Sequence, residues 1–419
     1  MNSPEYIQTS LAAAMSLGFE SGSFKDPVRL TGLNLLLTYD KGCLGKCAYC
    51  GIAGGRHSAA SGRGAQGVLN NKLTDAAGGS INAGIISDNN LNDIRRNAKK
   101  TFIRVKWPVY RLDDVLNALK EHESSFERIC LSMVTHADAV KDTITITKKI
   151  KQFSNLPISL LITPSLIGSS EILRKFKEAG AEMAGIAIDA ATKDLFDKYR
   201  GAGVGGPHKW QKYWEVLKWA ADVFGRFKTG IHLIVGLGET EQQAVKIIYD
   251  AHLLGAKTHL FSFYPEPASL LEGLSRPELE SYRKIQIARY LINEKELDIS
   301  KIHFDCNGTG NSVGNNCSNS SNGSINKSSN NIDSNSSGNG SGRIISFDYD
   351  FTEVLKEGFA FMTSGCPCSS DSRISACNRP FANERPSETF RNYPYLPTDE
   401  DKEIIAGQIS ELLFTVRSF

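Results

Sequence analysis

The chain has 419 residues, of which 41% are hydrophobic, 22% charged and 9% aromatic, enough apolar content to exclude wholesale disorder. Its 48 Lys and Arg against 46 Asp and Glu leave a formal charge of +2, which excludes a dedicated nucleic-acid binder on charge alone. No stretch is long and apolar enough to span a bilayer, which takes about 18 residues. One large α/β barrel or two average domains would both fit the length.

The N-terminal run MNSPEYIQTSLAAAMSLGF carries Glu5 and no Lys or Arg before Lys25. It does not read as a signal peptide, and a cytoplasmic location is the expectation. Strand-like runs follow in order: LTGLNLLLTY (30–39), ERICLSMV (127–134), LPISLLIT (156–163), MAGIAID (183–189), GIHLIVG (230–236), HLFSFY (259–264) and KIHF (301–304). Several are almost continuously apolar, as parallel strands buried on both faces should be. Helical patterns alternate with them at Leu112–His122, Ala139–Phe153, Ser170–Ala179, Lys209–Phe224, Glu241–Leu254 and Arg276–Asn293. This alternation predicts a parallel α/β sheet, either barrel or doubly wound.

Two stretches stand outside that pattern. Residues 57–98 hold 24 Gly, Ala, Ser or Asn in 42 positions and no aromatic residue, and residues 308–342 hold 28 Asn, Ser or Gly in 35. Neither can bury enough apolar surface to offset its ordering entropy, so both read as disordered insertions. Long insertions are tolerated because closure entropy grows only logarithmically with length. Without them 342 residues remain, enough for one barrel. The chain therefore divides into a barrel core over 1–304, a strand–turn–strand unit over 305–347 split by the second insertion, and an extension over 348–419.

Nine cysteines without an export signal point to metal or redox chemistry rather than disulfides. Directly after the first strand run, DKGCLGKCAYCGIAGG places Cys43, Cys47 and Cys50 at C-x3-C-x2-C spacing in a glycine-rich loop. Three such thiolates can each take one iron of a cubane cluster and leave the fourth iron without a protein ligand. A zinc knuckle or three unrelated thiols is the competing reading, although zinc sites usually pair two C-x2-C units or add His at fixed spacing.

This loop, with Tyr49 before its last cysteine, resembles that of the radical S-adenosylmethionine (SAM) superfamily. The resemblance implies a TIM-like (βα) barrel, a [4Fe–4S] cluster on Cys43, Cys47 and Cys50, SAM bound to the open iron, and Tyr49 beside the adenine. It also implies an electron donor such as ferredoxin or flavodoxin. GIHLIVGLGET (230–240) is similar to the family's G-x-I-x-G-x-x-E element, through Ile234, Gly236 and Glu239. The same Glu239 would suit a plain helix N-terminus. AGIAIDAATKDLFDKYRG (184–201) is similar to the fourth-strand segment, where Asp189 would meet the SAM ribose and Arg200 its carboxylate; a simple helix cap is the other reading of Asp189. No Gly-Gly-Glu follows the second strand, which leaves Ser132, Thr135 and His136 as candidates for the SAM amino group. Glu266 in YPEPAS would either meet substrate or sit in a structural turn.

Near the end, SGCPCSSDSRISACNRPFANERP supplies Cys366, Cys368 and Cys377 among prolines that favour a rigid, non-helical wrap. These three are expected to hold an auxiliary cluster, with Cys306, a Ser or substrate as fourth ligand; one zinc site or redox-inert thiols are the alternatives. Cys130 falls in a strand and reads as core, and Cys317 lies in the second insertion. Together with FIRVKWP (102–108), the tail resembles the biotin synthase and lipoyl synthase branch, and most of all the archaeal-type lipoyl synthase that works as a pair of radical SAM proteins. That resemblance implies sulfur insertion into an octanoyl chain on a carrier-protein lysine, with a second radical SAM protein as partner. Sulfur-free carbon chemistry and a non-catalytic electron carrier are the other functions open at this point.

Overall fold

The structure, a computed structural model, describes residues 1–53, 101–102, 104–305, 341–380, 382 and 384–416. The insertion expected at 57–98, most of the one at 308–342, Cys306 and Cys317 lie outside the described residues. Eight strands form one sheet: Tyr6–Thr9 (β1), Gly32–Leu37 (β2), Val109–Arg111 (β3), Arg128–Ser132 (β4), Ile158–Ile162 (β5), Ala181–Asp189 (β6), Thr229–Val235 (β7) and Ala256–Ser262 (β8). Their order is β3-β1-β2-β4-β5-β6-β7-β8. From β2 to β8 the neighbours run parallel, whereas β1 pairs antiparallel with both β2 and β3. The result is a TIM-like α/β sheet, open at its two ends. Sequence patterning misses β1 and β3, which are too short to show any alternation.

Alternation along the parallel strands assigns two faces. Leu33, Leu35, Ile129, Leu131, Ile231 and Leu233 occupy one set of positions and are completely or nearly completely buried. The other set mixes small and polar residues with a few apolar ones such as Leu36, Leu161 and Phe261. In register it places Asn34 beside Cys130, Cys130 beside Ser159, Gly185 beside Gly230, and His232 beside His259. The linking helices are terminated by local chemistry. The helix Glu241–Leu253, for example, starts at a capping box between Thr240 and Gln243 and is followed by Gly255 at φ +78°. Among the described residues no helix is long and apolar enough to cross a membrane.

Two further strands, Ile302–Phe304 (β9) and Ile344–Phe347 (β10), pair antiparallel with each other. Beyond them the C-terminal segment is fastened to β8 and to the chain just before β2. Leu260 of β8 donates its N–H to Ser364 Oγ (2.7 Å), Thr31 Oγ1 donates to the Ala376 carbonyl (3.1 Å), and Asn378 Nδ2 donates to the Arg29 carbonyl. A fully buried arginine anchors the stretch around residue 390. This is Arg283, on the helix Leu279–Lys295, which donates to the carbonyls of Phe390 and Arg391 and to Gln286 and Gln408. Burial pushes its pKa down to about 10, so the carbonyl dipoles are its main compensation.

The closure depends on a close approach at Gly32, where an added Cβ would lie 2.4 Å from the Ala376 carbonyl oxygen. Gly32→Val should therefore lower stability by about 1–3 kcal/mol, the usual range for overpacking. Urea unfolding would read that loss, and limited proteolysis should show earlier cleavage within 362–380. An unchanged midpoint and cleavage pattern would contradict this account of the closure.

Candidate active site

The loop after β2 carries Cys43, Cys47 and Cys50 at the C-terminal edge of the sheet. Two backbone N–H groups converge on Cys43 Sγ, from Gly45 (3.4 Å) and Thr135 (3.3 Å). Leu44 N–H in turn donates to the Thr135 carbonyl (2.8 Å), so the cysteine loop and the loop after β4 clasp each other. Ala48 N–H reaches the Tyr199 carbonyl (2.7 Å), and Leu270 N–H reaches the Ala48 carbonyl (2.8 Å). Glycine is demanded where the loop is tightest: a Cβ at Gly51 would lie 2.1 Å from the Thr101 carbonyl oxygen. Burial pushes the Cys47 thiol up, an environment in which a thiolate needs a cation or metal. Three thiols on one anchored loop, one of them already receiving N–H···S bonds, fit the demands of an iron–sulfur cluster.

Beside this loop lies a buried charged network. Tyr49 Oη donates to Asp189 (2.6 Å), and Arg200 pairs with Asp189 while donating to Tyr49 Oη (2.8 Å) and Tyr213 Oη (3.0 Å). His208 Nδ1 stands 2.9 Å from both Tyr213 Oη and Ser165 Oγ. Burial works against the Arg200 charge, but Tyr213, Tyr49, Cys47 and Asp189 around it raise its pKa well above normal. Burial and the Arg200 charge drive His208 down to about 2, so its ring is neutral. Arg200 Nε is buried without a hydrogen-bond partner, a donor left for an anionic group.

Asp189 closes β6 at φ +67°, a left-handed conformation that Asp tolerates better than most residues. It is not a helix cap: Thr192 caps the helix Lys193–Tyr199 by accepting from Leu195 N–H (3.3 Å). Glu239 likewise does not serve a helix terminus. Its carboxylate accepts from the N–H groups of Gly236 (2.6 Å) and Leu237 (3.1 Å) and braces the turn after β7. That turn needs φ +109° at Gly236, where a Cβ would meet Pro277 at 2.7 Å. Ile234, half-buried, is two residues upstream on β7.

Of the residues considered for the SAM amino group, Ser132 is buried at the end of β4 and Thr135 belongs to the clasp. His136 stacks flat on Tyr39 (3.7 Å, 8°), whose hydroxyl donates to Asp142 (2.8 Å). Glu266 accepts from Thr101 Oγ1 (2.6 Å) and from the Arg104 backbone, which makes it a staple between two loops.

The C-terminal cysteines separate. Cys366 and Cys377 line a cavity with Asn34, Cys130, His232, His259 and Arg379, on the small, polar face of the sheet. Cys377 Sγ accepts from Arg379 Nε (3.1 Å) and Asn34 Nδ2 (3.6 Å). Burial, then the neighbouring Cys377 and Cys366, push the Cys130 thiol well above its normal pKa. Cys368 is elsewhere, 4.0 Å from Thr31 Oγ1, where Ser369 and Ser370 hold Glu127. Sequence pattern makes Cys130 a core residue because nothing local marks which face of a strand a distant tail will cover.

Residues 39–251 match the model of the radical SAM superfamily. No curated protein matches the chain. Among solved structures it is similar to methylornithine synthase (PylB), at 13% identity and TM-score 0.37 over 66% of this chain and 67% of that one. It is similar to HydG, a maturase of the [FeFe]-hydrogenase, at 14% and 0.42, over 67% and 57%. A third likeness is to the radical S-adenosylmethionine methyltransferase TsrM from Kitasatospora setae, at 13% and 0.30, over 40% and 33%. The chain thus spans just over half of HydG and a third of TsrM.

Proposed function

The chain belongs to the radical SAM superfamily, and from that premise we propose that it inserts sulfur into unactivated C–H bonds, as a lipoyl synthase does. The proposed substrate is an octanoyl chain on a carrier-protein lysine, with a second radical SAM protein dividing the two insertions. One observation carries the reading: two thiols of the C-terminal segment reach the inner face of the same sheet whose rim bears the cysteine loop.

A [4Fe–4S] cluster on Cys43, Cys47 and Cys50, with SAM bound, would supply a 5′-deoxyadenosyl radical once reduced by a ferredoxin or flavodoxin. The chain's own residues orient and enclose. Arg200 is charged, buried and short of one hydrogen-bond partner, which suits it to the SAM carboxylate. Tyr49 and Asp189 hold that guanidinium in place and flank the position proposed for the adenosine. Gly236, its turn braced by Glu239, sits at the end of β7, where the backbone is proposed to meet the adenine. The C-terminal segment, fastened to β8 and to the chain before β2, helps exclude water, which a carbon radical requires.

Arg200→Met should weaken SAM binding about 10- to 100-fold, the equivalent of losing a hydrogen bond to a charged group at about 1.5–3 kcal/mol. Equilibrium binding of SAM to the reconstituted protein checks this, and unchanged affinity would remove Arg200 from the site. The reaction itself is tested by mass spectrometry of an octanoylated carrier domain incubated with SAM and reductant, with and without the candidate partner protein. Mass gain from one or two sulfurs is the expected result. 5′-Deoxyadenosine without sulfur would instead favour carbon chemistry, and its complete absence an electron carrier.

A further inference from the structure

The two backbone N–H groups that reach Cys43 Sγ are held by different means. That of Gly45 sits on the cysteine loop itself. That of Thr135 comes from the loop after β4, so its aim depends on what fixes that second loop. One tie is direct, from Leu44 N–H to the Thr135 carbonyl (2.8 Å). The approach is close, since a Cβ at Gly45 would lie 3.2 Å from both Cys43 Sγ and Thr135 Oγ1.

The second tie runs through side chains outside the cysteine motif. His136, next to Thr135, lies flat on Tyr39, with ring centres 3.7 Å apart and planes at 8°. Tyr39 stands two residues beyond β2 and opens the turn into the cysteine loop, its carbonyl accepting from Gly42 N–H (2.8 Å). One tyrosine therefore borders both loops where they meet. Its ring is tethered at the far end, because the hydroxyl donates to Asp142 (2.8 Å) in the first turn of the helix Ala139–Phe153. Tyr39 and Asp142 are both buried, and burial together with Asp142 raises the Tyr39 pKa, so the hydroxyl remains a donor. The edge of His136 is held as well: Asp138 N–H reaches its Nδ1 (3.3 Å), and the Asp138 carboxylate lies 3.5 Å from the same atom. Backbone N–H groups on a ligating sulfur stabilise the negative charge that a cluster gains on reduction. Their alignment therefore affects how readily it is reduced.

We infer that Tyr39, tethered by Asp142, positions His136 and through it the Thr135 N–H on Cys43 Sγ, and so raises the reduction potential of the cluster that Cys43 would ligate. This rests on the reading of Cys43 as a cluster ligand, and it holds whatever the substrate is. Tyr39, His136 and Asp142 are positioning residues in this account. His136 then acts through its ring face, not as a holder of the SAM amino group.

The test is a redox titration, followed by EPR, of the anaerobically reconstituted full chain without SAM. It reads the signal that Cys43→Ala abolishes. Tyr39→Leu and His136→Ala remove the stack, and each should lower the ratio of reduced to oxidised cluster about tenfold at a fixed potential, a midpoint about 59 mV more negative. Tyr39→Phe keeps the ring without its tether and should move the midpoint the same way by less. Asp142→Asn keeps an oxygen acceptor for the tyrosine hydroxyl and should retain the wild-type midpoint. Ile146→Val, buried on the same helix, should lower the thermal midpoint and leave the potential alone. Iron content and thermal midpoint of each variant separate a change of potential from loss of the cluster or of the fold. A wild-type potential in a folded, iron-loaded Tyr39→Leu would overturn the inference, as would an equal shift in Ile146→Val. So would an unchanged potential with weakened SAM binding in His136→Ala, which would make His136 a contact of SAM. If Cys43→Ala keeps every signal, the reading of Cys43 as a ligand fails, and the inference with it.

Discussion

A parallel sheet has two faces to bury, and helices can cover only one of them when the sheet curves. Here the outer positions are aliphatic and lie against the linking helices, while the inner positions are largely Gly, Ser, Asn, Cys and His, with a few large apolar residues such as Phe261. The C-terminal segment fills the inner face. It enters as irregular chain, so its backbone polar groups need partners, and side chains at strand ends and on the helix Leu279–Lys295 provide them. Thr31, Arg128 and Arg283 all donate to carbonyls of that segment, Arg128 Nε to Pro367 at 2.8 Å. The small residues of β2, β6 and β7 make the room. The composition of the inner face is thus set by the plug it receives.

Buried charge follows the same logic at each level. At the rim, Arg200 is matched by Asp189 and two tyrosines; on the inner face, Arg379 donates to Cys377 Sγ; behind the sheet, Arg283 donates to carbonyls. Removing one partner of such a group typically costs more than the pair contributes, because the remaining charge is left without compensation. The neutral histidines between these arginines keep the interior from accumulating like charge. Rim and inner face are therefore two distinct polar environments, one built on an ion pair and the other on an arginine packed against a thiol.

The geometry also sorts residues that look alike in a motif. Tyr49 and Arg200 belong to one network around Asp189, 140 and 11 positions away respectively. Glu239 shapes the backbone of the turn after β7, and Glu266 staples its own loop to Thr101 and Arg104. All could have been read as ligand contacts, yet each carboxylate is already engaged by its own chain. A substitution at Glu239 acts on a turn, while one at Arg200 acts on a charge.

Some of this was legible in the linear chain. The C-x3-C-x2-C spacing puts three thiols on one loop whatever the rest of the molecule does, and near-continuous apolar runs report strands buried on both sides. Those are local properties, carried by residues within a few positions of one another. The short antiparallel strands β1 and β3 escaped because three or four residues show no period. The fate of the other cysteines was not local either. C-x-C spacing groups Cys366 with Cys368, yet the fold sends one to the cavity and the other to Thr31, because the plug packs against the sheet on one side only. Cys130 joins Cys366 and Cys377 only because an open sheet must be plugged by a segment remote in sequence. Sequence alone placed three thiols on one loop and marked the strand pattern, since both are written in neighbouring residues; the tertiary structure decided which distant thiols share a cavity, because packing selects which face of each strand becomes the interior.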